Sequence, residues 1–147
     1  MNSNLVFVLN LLATWYMVGL IWIVQVVHYN MFDRVGDAEF VRYETDHNRL
    51  ITPTVGPPML IEIATACLLL IAAPAGFPKW AAWAGLIMIA GIWLSTYFLQ
   101  VPCHSRLLGG FDAEAYRKLV NTNWIRTVLW TARGILMGYF ALQLLSK

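Results

Sequence analysis

Leu5-Val-Phe-Val-Leu-Asn-Leu-Leu-Ala-Thr-Trp-Tyr-Met-Val-Gly-Leu-Ile-Trp-Ile-Val-Gln-Val-Val27 runs for 23 residues without an Asp, Glu, Lys or Arg. About 20 mainly apolar residues carry a helix across the hydrocarbon of a bilayer, so this stretch reads as a membrane span. It has no basic segment ahead of it and no small-residue cleavage site behind it, which makes it a retained span and not a signal peptide. Three further runs follow: Thr54 to Ala73, Trp80 to Val101 and Trp124 to Leu145. Pro74-Ala-Gly-Phe-Pro78 is a tight turn joining the second and third. The whole chain of 147 residues is 59% hydrophobic and 12% charged, whereas soluble domains carry about 25% charged residues. That excludes a water-soluble globular enzyme and a disordered chain. A net charge of +2 gives no basic footprint for nucleic acid. The expected architecture is all-α: one integral membrane four-helix bundle over residues 1–147, with the lipid bilayer as its surroundings.

Basic residues set the expected orientation. Arg34, Arg42, Arg49, Arg106, Arg117, Lys118 and Arg126 fall in or beside the two long connections, against Lys79 and Lys147 on the other side. The positive-inside rule then places both long loops in the cytoplasm and both termini outside, N-out/C-out, in a multi-pass protein of the cytoplasmic (inner) membrane. Trp80 and Trp83 match an outer aromatic belt and Trp124 an inner one. Pro57-Pro58 and Pro102 read as boundary prolines. Gly134-Ile-Leu-Met-Gly138 is a GxxxG pattern suited to packing inside the bundle or to a homodimer. Cys67 and Cys103 form no disulfide framework and no CxxC metal pattern; both read as packing thiols, Cys67 as core.

The two long connections resemble each other. His28 to Glu39 and His104 to Glu114 each begin with His, pass a Gly, and end in Asp-Ala-Glu; about two helical turns later an Asn leads into the next span. Asp37 and Asp112 are credible helix N-caps, each with a Glu in the first turn. This predicts two parallel pseudo-repeats related by an axis along the membrane normal, each with a short cytoplasmic connecting helix. His28 and His104 would then lie at equivalent depth near the cytoplasmic face.

Three histidines, His28, His47 and His104, gather on that side. Glu44 and His47 share a helix face at i, i+3, a spacing that supplies ligands in di-iron bundles. Imidazole with carboxylate suits a transition metal or haem, with His28, Glu44, His47 and His104 as the ligand set. It equally suits metal-free proton transfer near neutral pH, or a hydrogen-bonded structural role. Within the bilayer Glu62 and Arg133 stand at matching depth, about 12 Å from the cytoplasmic end. Charges there cost about 2.5–3.5 kcal/mol or more. Two readings follow, a buried ion pair fastening helices or the lining of a polar cavity whose mouth holds Gln25, Thr96, Gln100 and Arg126.

Thr96-Tyr-Phe-Leu-Gln-Val-Pro102, Asn123-Trp-Ile-Arg-Thr127, and the first-loop pattern from Phe40 through Glu44 and His47 to Thr52-Pro53 resemble the anthrone-oxygenase-like family of small four-helix membrane proteins. The resemblance covers nearly the whole chain. It implies oxidation of anthrones to anthraquinones by dioxygen without an obvious cofactor. Glu44, His47 and His28 depart from the family's usual pattern. The first half is also faintly similar, through Gly19-Leu20, His28-Tyr29, Glu44 and Pro53, to haem-binding four-helix protoporphyrinogen oxidases.

The expected function is therefore a membrane oxidoreductase of oxygenase-like character. Its substrate would be a small lipophilic aromatic or quinone-like compound in a cavity on the cytoplasmic side. His28, His47 or His104 would remove a proton. Asn123, Arg126, Gln100, Glu62 and Arg133 are the candidate substrate-binding residues, with Arg126 and Asn123 stabilising the resulting oxyanion. The alternatives are a metal- or haem-binding membrane protein, and a non-enzymatic small transporter or assembly subunit.

Overall fold

A computed structural model describes residues 2–146; Lys147, counted in the charge asymmetry, lies outside them. Four helical rods are long and apolar enough to cross a membrane: Ser3–Arg34, Asp37–Ile71, Lys79–Leu107 and Ala113–Leu145. No strand occurs among the described residues. The first rod is α1 (Ser3–Ile23), a π-helical turn (Val24–His28) and a 3-10 stretch (Tyr29–Arg34). The second is α2 (Asp37–Ile71). The third is α3 (Lys79–Ser95), a second π-helical turn (Thr96–Gln100) and α4 (Val101–Leu107). The fourth is α5 (Ala113–Leu145). Around the bundle α1 touches α2 and α5, and α3 touches α5 and α2.

The distribution of side chains is that of a multi-pass membrane protein. Leu5, Leu12, Ile71, Ile87, Ile135 and Leu142 point outward, each more than half exposed, while Asn10, Thr14, Asn123 and Thr127 are fully buried. In water this arrangement would waste the hydrophobic effect; in lipid, the polar groups are the ones that must be enclosed. Because such helices are apolar on every side, periodicity does not reveal which face turns inward. Cys67 shows the consequence: it faces outward, contrary to its expected place in the core, whereas Cys103 is buried.

The connecting helices differ from expectation. They are not separate: residues 37–52 run without a break into the second span, and residues 113–123 into the fourth. Pro53, Pro57 and Pro58 lie inside α2 rather than at its boundary. Each removes one amide donor, and partners on neighbouring helices or on Ser and Thr hydroxyls make this tolerable in a membrane. Tyr16 Oη donates to the Thr54 carbonyl at 3.4 Å, the carbonyl that Pro58 leaves free. The 35 residues of α2 span about 50 Å, well beyond a hydrocarbon core of about 30 Å, so the bundle projects past it at the histidine end.

Asp112 is the N-cap of α5 as expected, with Oδ1 accepting from the amides of Glu114 (2.9 Å) and Ala115 (3.0 Å). Asp37 is not a cap; Gly36 holds that position and Asp37 is the first helical residue. The Pro74–Pro78 turn turns on Gly76, whose φ of 95° suits glycine. The GxxxG face is used within the bundle: a Cβ at Gly134 would stand 3.0 Å from Val18 Cγ2, and one at Gly138 3.7 Å from Trp15.

Candidate functional site

Two buried polar assemblies occupy the axis of the bundle, and they differ in kind. The deeper one holds Glu62 and Arg133. Arg133 Nε donates to Glu62 Oε1 at 3.0 Å and Arg133 Nη2 donates to Asn10 Oδ1. Thr14 Oγ1 donates to Glu62 Oε1 (2.8 Å) and Trp130 Nε1 to Glu62 Oε2 (3.0 Å). Asn10 Nδ2 donates to the Glu62 carbonyl at 2.9 Å and to Thr65 Oγ1 at 2.8 Å. Gly85 makes room, since a Cβ there would collide with Arg133 Nη1. Both charges are 1% exposed and line none of the cavities described below. Of the two readings offered by the sequence, the fastening ion pair fits this geometry; the substrate-binding role expected for Glu62 and Arg133 does not, because the carboxylate oxygens are taken up by α1 and α5.

The second assembly brings all three histidines together. The π turn ends at His28 and the 3-10 stretch begins at Tyr29, so the change of winding lets two consecutive residues contribute to one cluster. α2 offers Glu44 and His47 on one face, and α4 offers His104. His28 Nε2 and His47 Nδ1 share a hydrogen bond of 2.8 Å. The His47 and His104 rings stack at 5.1 Å between centroids. His104 Nδ1 lies 2.6 Å from Glu44 Oε1, and Tyr29 Oη lies 3.0 Å from His104 Nε2. A carboxylate can only accept, so Nδ1 carries the proton and Nε2 is left to accept from the Tyr29 hydroxyl. The result is a directed chain, Tyr29 O–H to His104 to Glu44, in which the carboxylate fixes the imidazole tautomer. Asn48 Nδ2 also donates to Glu44 Oε1 at 2.9 Å. Glu44 is fully buried, and its Oε2 is the one buried side-chain nitrogen or oxygen among the described residues without a hydrogen-bond partner.

Burial depresses the basicity of the other two rings, both of which lie outside the apolar spans. His47 is held down to about 3, first by desolvation and then by His104, His28 and Arg126. His28 is lowered in the same direction, by burial first, with Glu44 opposing. Both imidazoles are therefore neutral near neutral pH. For His47 the sign of the linkage follows: between pH 6.5 and about 3 the unfolded chain takes up a proton that the fold refuses, so stability falls as pH falls through that window.

Beside the chain lies a cavity of about 160 Å³. Its polar wall carries Tyr29, His47, His104, Arg126, Thr96 and Gln100, and its apolar wall Met17, Ile21, Val24, Met59 and Trp130. Both π turns contribute, through Val24 at one side and Thr96 and Gln100 at the other; the wider winding, which often marks functional segments, opens the bundle here. Arg126 Nε donates to Asn123 Oδ1 at 2.8 Å and Nη1 to Thr96 Oγ1 at 3.3 Å; Nη2 reaches Tyr29 Oη at 3.5 Å. Asn123 is itself held by Gln25 Oε1 at 2.8 Å. Arg126 has no carboxylate within ion-pair distance among the described residues, so its positive charge faces the cavity uncompensated. Asn123 stands behind Arg126 as a positioning residue. Gln100 lines the wall but is engaged by Ser95 and Thr122.

His28 lies outside this cavity and lines a groove of about 360 Å³ on the far side of His47. Among the described residues no three His, Cys, Asp or Glu side chains are arranged to hold a metal ion; His28, Glu44, His47 and His104 are joined by hydrogen bonds to one another or to Tyr29 and Asn48. Tyr29 and Trp130 were not among the candidate site residues read from sequence, Tyr29 entering only through the His28-Tyr29 pair of the fainter resemblance. Only the adjacency of Tyr29 to His28 signalled it, and side chains at i and i+1 do not normally share a face. Comparisons with family models, with curated proteins and with solved structures returned no match.

Proposed function

We propose that the protein is a membrane oxidoreductase that deprotonates a small lipophilic aromatic or quinone-like compound and passes it to dioxygen. The observation that carries the reading is the Tyr29–His104–Glu44 chain opening onto a cavity of the bundle beside an Arg126 without a carboxylate partner. In this scheme the substrate's acidic C–H or O–H proton moves to the Tyr29 oxygen as the Tyr29 proton moves to His104 Nε2. Glu44 stabilises the imidazolium, and Arg126 stabilises the substrate oxyanion where charge develops. The anion then reduces dioxygen. In a C–H substrate a CH2 becomes C=O, one oxygen atom entering the product and the other leaving with the two hydrogens as water. In a hydroquinone the two O–H hydrogens and two electrons pass to dioxygen, giving quinone and hydrogen peroxide. The likeness of Asn123-Trp-Ile-Arg-Thr127 to the anthrone-oxygenase-like motif supports the same residues, since Asn123 and Arg126 are the pair at the cavity wall. Oxygen uptake by purified protein against a panel of anthrones and electron-rich phenols tests it: uptake matched mole for mole by oxidised product is expected, and none with any member would contradict it.

One observation favours a second reading, a metal or haem site: the buried, unpartnered Glu44 Oε2 has spare capacity for a cation. Metal analysis and the absorption spectrum of protein purified in mild detergent separate the two. Stoichiometric metal or a Soret band would establish the second reading; neither is expected under the first.

We place the histidine end in the cytoplasm, with both termini outside, on the distribution of Lys and Arg. The paired π turns, the first ending at His28 and the second followed within four residues by His104, each with a long helix beyond, support two parallel pseudo-repeats. A reporter fused at the C-terminus is expected to be active only outside the cytoplasmic membrane, and one inserted at Gly110 only within the cytoplasm. The reverse pattern would overturn the placement.

A further inference from the structure

The volume of the cavity and the position of the groove restrict what the site can take. A cavity of about 150 Å³ accommodates a benzene-sized ring, and the space beside Tyr29, His104 and Arg126 is about 160 Å³. A three-ring anthrone does not fit there without displacing the walls, and those walls include Met17, Trp130 and Met59, all buried and packed in the core. The groove of about 360 Å³ on the other side of His47 is different. It runs between the first rod and α2, and among its lining residues Ile23 and Leu50 are 60% and 58% exposed on the outer face of the bundle. Leu20, Val24, His47 and Ile51 line both spaces. They form one seam: Leu20 and Val24 from the first rod, His47 and Ile51 from α2. The π turn that begins at Val24 widens the first rod at the seam.

We propose that the site binds a single-ring quinone or hydroquinone carrying a long apolar tail, with the ring in the partly open cavity and the tail passing through the seam into the groove and out to lipid. This rests on the reading of the cavity as a substrate site and narrows its substrate class. The ring oxygen meets Arg126, whose charge has no carboxylate partner, beside Tyr29 Oη, whose own hydrogen is given to His104. The tail meets Ile23, Leu50 and Ile51. His47, held by His28 at 2.8 Å, stands where ring and tail join and sets how the tail leaves. Because lipid is as apolar as the groove, the groove provides an exit more than it provides affinity.

The test uses the full chain in lipid nanodiscs with three oxidised, air-stable probes: a decyl-substituted benzoquinone, its methyl counterpart and tricyclic anthraquinone. Affinities are expressed as mole fraction in the membrane, so that partitioning cancels. The two single-ring probes are expected to bind alike and anthraquinone about ten-fold more weakly or worse, the size of effect that overpacking produces. Leu50→Trp, or Ile23→Trp should the first variant fold poorly, fills the groove without touching the cavity. It is expected to weaken the decyl probe about ten-fold and leave the methyl probe unchanged. Anthraquinone binding as tightly as the single rings, or groove variants that affect both single-ring probes equally or neither, would overturn the proposal while leaving the aromatic-substrate reading intact. Binding of none of the three overturns both.

Discussion

Replacing His104 with Gln is expected to lower turnover about 10²- to 10⁴-fold, the range for loss of a positioned acid–base group. The imidazole is the middle of the chain, the single group that accepts from Tyr29 and donates to Glu44. Glu44→Gln should fall in the same direction. Its amide retains size and one oxygen, but it no longer stabilises an imidazolium and its NH2 cannot accept from His104. Tyr29→Phe removes the group that relays the proton. In the first two the loss should appear in kcat with KM little changed, because those groups act as charge develops and not in binding. Tyr29 also meets the substrate oxygen, so Tyr29→Phe should change KM as well. Arg126→Gln differs, since the proposed scheme also has Arg126 bind the substrate oxygen; there both constants should change. Steady-state oxygen uptake with thermal melts of each variant makes the comparison, and a His104→Gln protein with native kcat would remove the residue from the chemistry.

The second large effect is on stability. Arg133→Met leaves the Glu62 carboxylate buried without its cation, and a broken buried pair costs about 3–5 kcal/mol. Glu62→Gln leaves the guanidinium unmatched and should cost a comparable amount. The double variant should cost less than the sum, because each single change strands the other's charge. Turnover per folded molecule should be little altered, since neither residue lines the cavity. Additive, mild losses in reversible unfolding would mean that the two charges do not depend on each other.

Much of this was legible in the chain. Four apolar runs, a Pro-rich turn and a sparse set of charges are enough for a helical membrane bundle, because the bilayer leaves few alternatives. The clustering of His28, His47 and His104 also follows from local signals: each histidine lies just outside an apolar run, and Glu44 and His47 share a helix face. The faces of the helices were not legible. Cys67 reads as core in a uniformly apolar run, yet faces outward. Pro57 and Pro58 read as a boundary, yet α2 continues through them, with Tyr16 on the first helix donating to the Thr54 carbonyl that Pro58 leaves free. The π turns at Val24–His28 and Thr96–Gln100 leave no pattern in hydropathy, although they open the cavity and bring Tyr29 to His104. Glu62 and Arg133 could be matched by depth from residue counting alone. Whether they faced a cavity depended on Thr14, Asn10 and Trp130, contributed by other parts of the chain.

The most direct measurement is the protonation state of a bound phenol in the absence of oxygen. A one-ring nitrophenol, coloured only when ionised, can be added to the native protein under anaerobic conditions at a pH where the free probe is neutral. The proton-abstracting chain predicts that the bound probe shows the band of its anion, and that His104→Gln protein binds the same probe in its colourless form. A bound probe that stays colourless in the native protein, or that ionises equally in the His104→Gln variant, would contradict the assignment of Tyr29, His104 and Glu44 as the site's base.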